Sequence, residues 1–178
     1  MKISIWDKWF IACMLAVSIS NLQSQIVNSK NPWWVNLGAG PSLVGSTFSM
    51  NAGMVYCYQF EHSMISARII GVTNKNPTVQ EIDPTQINNK FSDYSVLYGP
   101  LWQSKQSYVS VGAGIGLVRA AYETHESIST HTSLGLPLEA QWFWRPTRFA
   151  GIGLYTYASL NFEKHLFGML MCVQLGMW

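Results

Sequence analysis

Residues 108–119 read YVSVGAGIGLVR. Within this segment every second side chain is aliphatic, and the side chains between them are serine or glycine. Successive side chains of a β-strand point to opposite faces, so this strand has one apolar face and one face of small residues. A soluble sheet that buries its apolar face carries charged residues on the other, whereas this strand carries glycine there. Apolar side chains outward and small ones inward over about ten residues are typical of a transmembrane β-barrel. The aliphatic row consists of Val109, Val111, Ala113, Ile115 and Leu117.

The composition agrees with a membrane-embedded chain of one domain. Charged residues make up 11% of the 178 residues, well below the roughly 25% that is usual for soluble domains. The formal net charge is only +2, and the basic residues form no patch, so we expect no nucleic-acid partner.

The first 24 residues have a different character from the rest. Lys2 and Lys8 are followed by an apolar run at 9–19, which is shorter than the roughly 18 residues of a membrane-spanning helix. Small residues come next. This order predicts a secretory signal peptide at 1–24, cleaved after Ser20 or after Ser24, and a β-barrel domain at 25–178.

Alternation and turn signals divide the mature chain into eight predicted strands. An even number lets the sheet close, and closure is required because lipid offers no partner to an unpaired strand edge. Eight strands enclose only enough space for side chains, so the lumen should be packed. We therefore predict an all-β, closed, antiparallel up-and-down transmembrane barrel. The predicted strands are 33–40, 47–60, 64–72, 91–102, 108–121, 133–144, 148–160 and 165–178.

The connections between these strands alternate in length. The long polar ones, 73–90 and 122–132, fall at one end of the barrel, and tight turns fall at the other. In transmembrane barrels the short turns are periplasmic and the longer loops are extracellular. All six tryptophans of the mature chain lie at strand ends on the short-turn side, which predicts an aromatic belt at the membrane–water interface. They are Trp33, Trp34, Trp102, Trp142, Trp144 and Trp178.

This pattern resembles the small eight-stranded outer-membrane barrels of the OmpA/OmpX type, over the whole mature chain. The final Trp178 resembles the aromatic ending that such proteins offer to the barrel-assembly machinery. The resemblance implies the bacterial outer membrane as location, with membrane lipid and lipopolysaccharide as neighbours. It carries no active-site residue. We expect a monomer without cofactor or metal.

Three polar side chains should face the lumen by strand parity: Arg68, Glu139 and Gln141. A lone buried charge is costly, and Arg68 and Glu139 should lie at similar depth. We therefore expect these two to form a hydrogen-bonded pair. Together with Gln141 they would make a polar network that fills and rigidifies the lumen.

One set of residues has the side-chain types of a hydrolase. His125, Ser127 and Glu139 could serve as base, nucleophile and orienting acid, and some eight-stranded outer-membrane barrels hydrolyse acyl chains of lipopolysaccharide. However, His125 and Ser127 fall in a polar loop, while Glu139 faces the lumen. We therefore expect a non-enzymatic barrel that displays the loops 73–90 and 122–132 for envelope integrity or surface interaction.

Two alternatives remain open. One is a lipid-modifying hydrolase that uses the barrel as a scaffold. The other is a soluble, lipocalin-like binding barrel, which would need the apolar row to face inward. The sequence does not identify an extracellular ligand.

Overall fold

The described residues form eight β-strands. A computed structural model describes residues 32–45, 47–73, 88–123, 128–161 and 165–177, and the predicted signal peptide lies outside them. Within these ranges no helix is long and apolar enough to span a membrane. The strands are β1 (Trp33–Val44), β2 (Thr47–Phe60), β3 (Ser63–Thr73), β4 (Asn88–Gln103), β5 (Ser107–Glu123), β6 (Ile128–Trp144), β7 (Ala150–Asn161) and β8 (Leu166–Met177).

The strands close into a barrel in chain order. Each strand pairs antiparallel with the next, and β8 pairs with β1 from Trp33↔Met177 to Val44↔Leu166. The predicted closed, eight-stranded, up-and-down barrel is therefore confirmed. Closure leaves no free edge at the level of the membrane, as a lipid environment requires.

The two faces of β5 are those that the sequence pattern predicts. The side chain of Ile115 is 76% exposed on the outer surface, whereas Ser110 is fully buried on the inner one. The same outward apolar row continues around the barrel, with Leu134 70% and Met171 75% exposed. This surface has lipid-facing character all round, and the polar side chains are directed inward.

Inward glycines let the wall and the lumen pack closely. A Cβ on Gly114 would lie 1.9 Å from the backbone oxygen of Val96 on the neighbouring strand. A Cβ on Gly168 would lie 2.5 Å from the ring of Tyr157. Glycine is required at both positions because a methyl group has no room there.

The strands β4, β5 and β6 are longer than the sequence predicted. The loops expected at 73–90 and 122–132 are partly strand, because pairing continues from Arg119↔Thr132 to Glu123↔Ile128. This stretch of β6 is rich in serine and threonine on both faces, so it lacks the alternation of a lipid-facing strand and resembles a loop. Threonine nevertheless favours extended backbone. Residues 74–87 and 124–127 lie outside the described ranges.

The extension makes the barrel wall uneven in height. Pairing between β6 and β7 begins at Gly135↔Asn161, so residues 128–134 of β6 pair with β5 alone in the described ladder. We call the two arms 119–123 and 128–134 the extended hairpin. It lies at the end of the barrel opposite the tryptophan-rich turns.

Candidate functional site

The centre of the lumen is an ion pair between β3 and β4. Arg68 lies opposite Ser95, and Asp93 is the next inward residue along β4, so the two charged side chains are diagonal neighbours. The Nη2 of Arg68 donates to Asp93 Oδ2 at 2.7 Å, and neither side chain is exposed. Arg68 also donates to the backbone oxygens of Leu138 and Ala158, at 3.0 and 3.1 Å. The charge is thus held by hydrogen bonds on opposite sides of the barrel.

Glu139 has a separate set of partners. Its carboxylate accepts hydrogen bonds from Ser66 at 2.7 Å, Gln141 at 3.1 Å and Tyr155 at 2.7 Å. The direct Arg68–Glu139 pair expected from the sequence is therefore not formed. The hydroxyl of Tyr155 lies between them and accepts from Arg68 Nη1 at 3.4 Å.

The error in this pairing has a simple physical origin. Strand parity puts Asp93 on the inner face as well as Glu139, but the choice between these two partners depends on the register of β3 against β4. That register puts Asp93 on the strand adjacent to Arg68, whereas Glu139 reaches the lumen from the far wall. Arg68 also reaches the backbone of β6 at Leu138, but the Tyr155 hydroxyl lies between its guanidinium and the Glu139 carboxylate.

Gln141 connects the centre to a second polar cluster nearer the short turns. Its Oε1 accepts from Asn36 Nδ2 at 3.2 Å and from the Tyr108 hydroxyl at 3.1 Å. Gln174 donates to both Asn36 and Tyr108, at 3.0 and 2.8 Å. Cys57, a buried free thiol, lies 3.9 Å from Gln141. We call this set, together with the groups around Arg68 and Glu139, the lumen network.

Aromatic rings and an arginine cover the lumen at the short-turn end. The guanidinium of Arg145 lies 4.9 Å from the ring centroid of Tyr108 and 6.0 Å from that of Trp34. Tyr108 also stacks on Phe143, with centroids 5.4 Å apart. Burial lowers the pKa of Arg145 from its ordinary value, while the neighbouring Tyr108 acts in the opposite direction. The lumen therefore contains packed side chains at this end rather than an open channel.

This cover includes one residue that the sequence assigned to the outer belt. Trp34 is fully buried and packs on Tyr108 inside the barrel, with ring centroids 5.1 Å apart. Its neighbour Trp33 is on the outward face by strand parity, stacks on Tyr56 and is only 5% exposed.

The other described tryptophans of the expected belt are on the outer surface. Trp102, Trp142 and Trp144 are 57%, 54% and 44% exposed, all near the short turns. Trp178 lies outside the described residues. The predicted belt contained no tyrosine, but an outward tyrosine lies at the same level: Tyr98 is 56% exposed and stacks on Phe60. Its alternation with inward residues was the signal that could have added it to the belt.

The hydrolase residues are not brought together by anything the structure describes. His125 and Ser127 lie outside the described ranges. Glu139 is 6% exposed, and its carboxylate is already hydrogen-bonded to three lumen side chains. Among the described residues, no three histidine, cysteine or acidic side chains gather as a metal site.

Comparison with solved structures agrees with the barrel topology. No protein-family model and no curated protein sequence matches this chain. Solved structures do match, and they are outer-membrane barrels. This chain has the fold of a small outer-membrane β-barrel.

Three neighbours illustrate the likeness. The attachment invasion locus protein Ail of Yersinia pestis superposes with a TM-score of 0.61 at 15% identity, covering 83% of this chain and 99% of Ail. Neisserial surface protein A gives 0.63 at 14% identity, covering 83% and 97%. The N-terminal β-barrel domain of Pseudomonas aeruginosa OprF gives 0.55 at 10% identity, covering 81% and 97%. At these identities the likeness concerns the fold.

Proposed function

We propose that this protein is a non-enzymatic integral protein of the bacterial outer membrane that presents the extended hairpin and its neighbouring loops for surface interaction. The barrel is the anchor, and membrane lipid and lipopolysaccharide are its surroundings. The barrel-assembly machinery inserts it after export, and it functions as a monomer. The observation that carries the interaction role is the uneven height of the barrel wall.

The outer surface supports a membrane location over a soluble barrel. A lipocalin-like protein needs its apolar row inside, around a ligand cavity. Here Ile115, Leu134 and Met171 are each at least 70% exposed on the outside, while Arg68, Asp93 and Glu139 are buried on the inside. A soluble domain rarely exposes a contiguous apolar surface of that extent.

The lumen supports an anchor rather than a wide pore or an enzyme. Arg68, Asp93 and Glu139 are all hydrogen-bonded to neighbours within the barrel. An eight-stranded barrel is just wide enough for its side chains. The one acid of the suspected triad is therefore engaged in packing the lumen.

The extended hairpin supports the interaction role. Its β6 arm, 128–134, rises beyond the last β6–β7 pair, and the side chains described there are mainly polar and exposed. They include Ser129, Thr130, His131 and Thr132. Function concentrates in such projections when a rigid framework holds them. Two neighbours are named for attachment and for the cell surface, and Ail was crystallised with the heparin analogue sucrose octasulfate.

The test is a shortened hairpin. Replacing residues 121–130 with Asn-Gly keeps Ala120 opposite His131 and closes β5 and β6 with a two-residue turn. Intact cells that display the parent should adhere to a heparin-coated surface, and cells with the short hairpin should lose that adhesion. A heat-modifiability gel checks that both barrels are folded in the membrane.

The outcomes separate the parts of the proposal. External protease on intact cells should cut within 74–87 or 124–127 and leave the strands protected. Adhesion that is unchanged in the short-hairpin strain, on heparin and on immobilised matrix proteins, would remove the interaction role. A chain recovered in the soluble fraction would remove the membrane location.

A further inference from the structure

A groove runs along the outer wall over β7, in the half nearer the short turns. Its volume is about 460 Å³. A smaller groove of about 290 Å³ follows further along the same strand. The first is lined by Trp142, Trp144, Ile152, Gly153, Leu154, Met171, Cys172 and Val173.

The groove has high sides and a low floor. On one side Trp142 projects from β6 and is 54% exposed, and on the other Met171 projects from β8 and is 75% exposed. Between them Leu154 of β7 lies opposite both and is only half-exposed. Further along, Thr156 donates its hydroxyl proton to the backbone oxygen of Ala140 at 3.1 Å, so the floor remains apolar. The cleft is apolar, and its floor is one strand wide between β6 and β8.

Positive charge lies at the short-turn end of this cleft. The ladder of β6 and β7 ends at Trp144↔Ile152, and the turn that follows contains Arg148, which is exposed. Phe149 of the same turn is 68% exposed, as expected for an anchor at the membrane interface. Arg145 is instead directed over Tyr108 in the lumen. Arg148 is therefore the exposed cation of this turn.

The other short turns make the charge distribution asymmetric. The turn between β4 and β5, beyond β6 from the groove, carries the exposed Lys105. The turn between β2 and β3, across the barrel, carries the exposed Glu61. The groove thus combines an apolar cleft with a cationic end, and the opposite side of the rim carries an acid.

We propose that the groove binds one glycerophospholipid, with an acyl chain along β7 and the lipid phosphate on Arg148. The inference rests on the proposed membrane location. Short turns are periplasmic in such barrels, so the leaflet at this level supplies phospholipid. A guanidinium matches a phosphate through paired hydrogen bonds.

A second copy of the chain fits the groove less well. A barrel wall is convex, so it would rest on Trp142 and Met171 and leave the floor over Leu154 unfilled. A single flexible chain can follow the narrow floor. An acyl chain therefore matches the shape, and a phosphate matches the charge.

The experiment uses the mature chain in vesicles of phosphatidylethanolamine with a trace of phosphatidylglycerol that carries a diazirine on its acyl chain. After illumination, mass spectrometry locates the labelled peptides. We expect label on β7 and β8 in clear excess over β3, which has no such cleft among the described grooves. Leu154→Trp fills the floor and should abolish the excess. Ile65→Trp, on the outer face of β3, is the matched control and should leave it unchanged.

A second comparison isolates the phosphate. Arg148→Gln should reduce the excess from phosphatidylglycerol roughly five-fold, the effect expected for one cation near an anionic headgroup. Arg119→Gln, at the other end of the barrel, should have no effect. A diacylglycerol probe with the same diazirine should label the groove equally in the parent and in Arg148→Gln, because it has no phosphate.

Three results would overturn the inference. They are equal labelling of β3 and β7, an excess that survives Leu154→Trp, and a dimer band on a heat-modifiability gel that Leu154→Trp removes. A heat-modifiability gel on each sample distinguishes these from failure of the membrane location. A folded, inserted barrel with uniform label contradicts the lipid site alone, whereas a chain that does not insert contradicts the proposed function.

Discussion

The Arg68 guanidinium lies 2.7 Å from the Asp93 carboxylate, and neither side chain is exposed. A buried pair of this kind loses much of its attraction to desolvation, but removing one partner leaves an uncompensated charge. The pair is therefore a test of how the lumen is held together.

We expect Asp93→Leu to destabilise the barrel by about 3–5 kcal/mol, because Arg68 then stays buried without its counter-ion. The double variant Arg68→Met with Asp93→Leu should lose less. Urea unfolding in lipid vesicles measures all four members of the cycle. If the two single losses simply add, the two side chains are not coupled.

The effect of an introduced arginine on the stability of the barrel should depend strongly on its position. Ile115 lies at the middle of β5 and is 76% exposed on the outer surface. Ile115→Arg should cost roughly 2–4 kcal/mol in vesicles, because the charge meets the centre of the bilayer. Ser129→Arg, on the extended hairpin, should change stability by less than about 0.5 kcal/mol. Equal effects would contradict the assignment of outer and inner faces.

Two glycine-to-alanine substitutions should differ in their effect on the stability of the barrel. Gly114→Ala places a methyl group 1.9 Å from the Val96 oxygen and should cost about 1–3 kcal/mol through overpacking. Gly71→Ala is the control, because its nearest neighbour would be the Ala52 oxygen at 3.9 Å. The same unfolding assay compares them. A Gly114 variant as stable as the Gly71 variant would show that the β4–β5 contact can relax.

The fluorescence of an outward tryptophan and that of an inward tryptophan should differ in their quenching by labelled lipid. Trp142 faces the membrane, and Trp34 is enclosed by Tyr108 and Arg145. In vesicles of bromine-labelled lipid, Trp142→Phe should remove a quenched part of the fluorescence. Trp34→Phe should remove an unquenched part. If Trp34→Phe instead removed a quenched part of the fluorescence, the ring of Trp34 would belong to the outer belt.

We expect the suspected triad not to hydrolyse acyl chains of lipopolysaccharide. His125→Ala with Ser127→Ala should leave the acylation of lipopolysaccharide unchanged, since Glu139 is committed to Ser66, Gln141 and Tyr155. Mass spectrometry of the extracted lipid compares this strain with the parent and with an empty-vector strain. A difference of one acyl chain that depends on both residues would favour the hydrolase.

The alternation in β5 was sufficient to predict the fold, because a two-residue period assigns each side chain to a face without any knowledge of its neighbours. The same rule was available for Trp33 and Trp34. Adjacent residues of a strand point to opposite faces, so the two could not both belong to an outer belt. Both were assigned to the belt because they lie at a strand end, although their parity differs.

Register and extension were harder to obtain from the sequence. The partner of Arg68 depends on which residue of β4 lies opposite it, and parity alone does not supply that offset. The arm at 128–134 carries polar residues on both faces, as an exposed loop does. Its pairing with β5 comes from backbone hydrogen bonds, which leave no mark in a hydropathy pattern.

The lumen network has members on every strand of the barrel, from Asn36 on β1 to Gln174 on β8. Asn36 and Gln174 lie directly opposite each other on β1 and β8, and their side chains are hydrogen-bonded across the seam that closes the barrel. The first and last strands are therefore joined by a side-chain hydrogen bond as well as by backbone pairing. Closure in a shifted register would separate these two side chains, so the pair favours the native register over its neighbours.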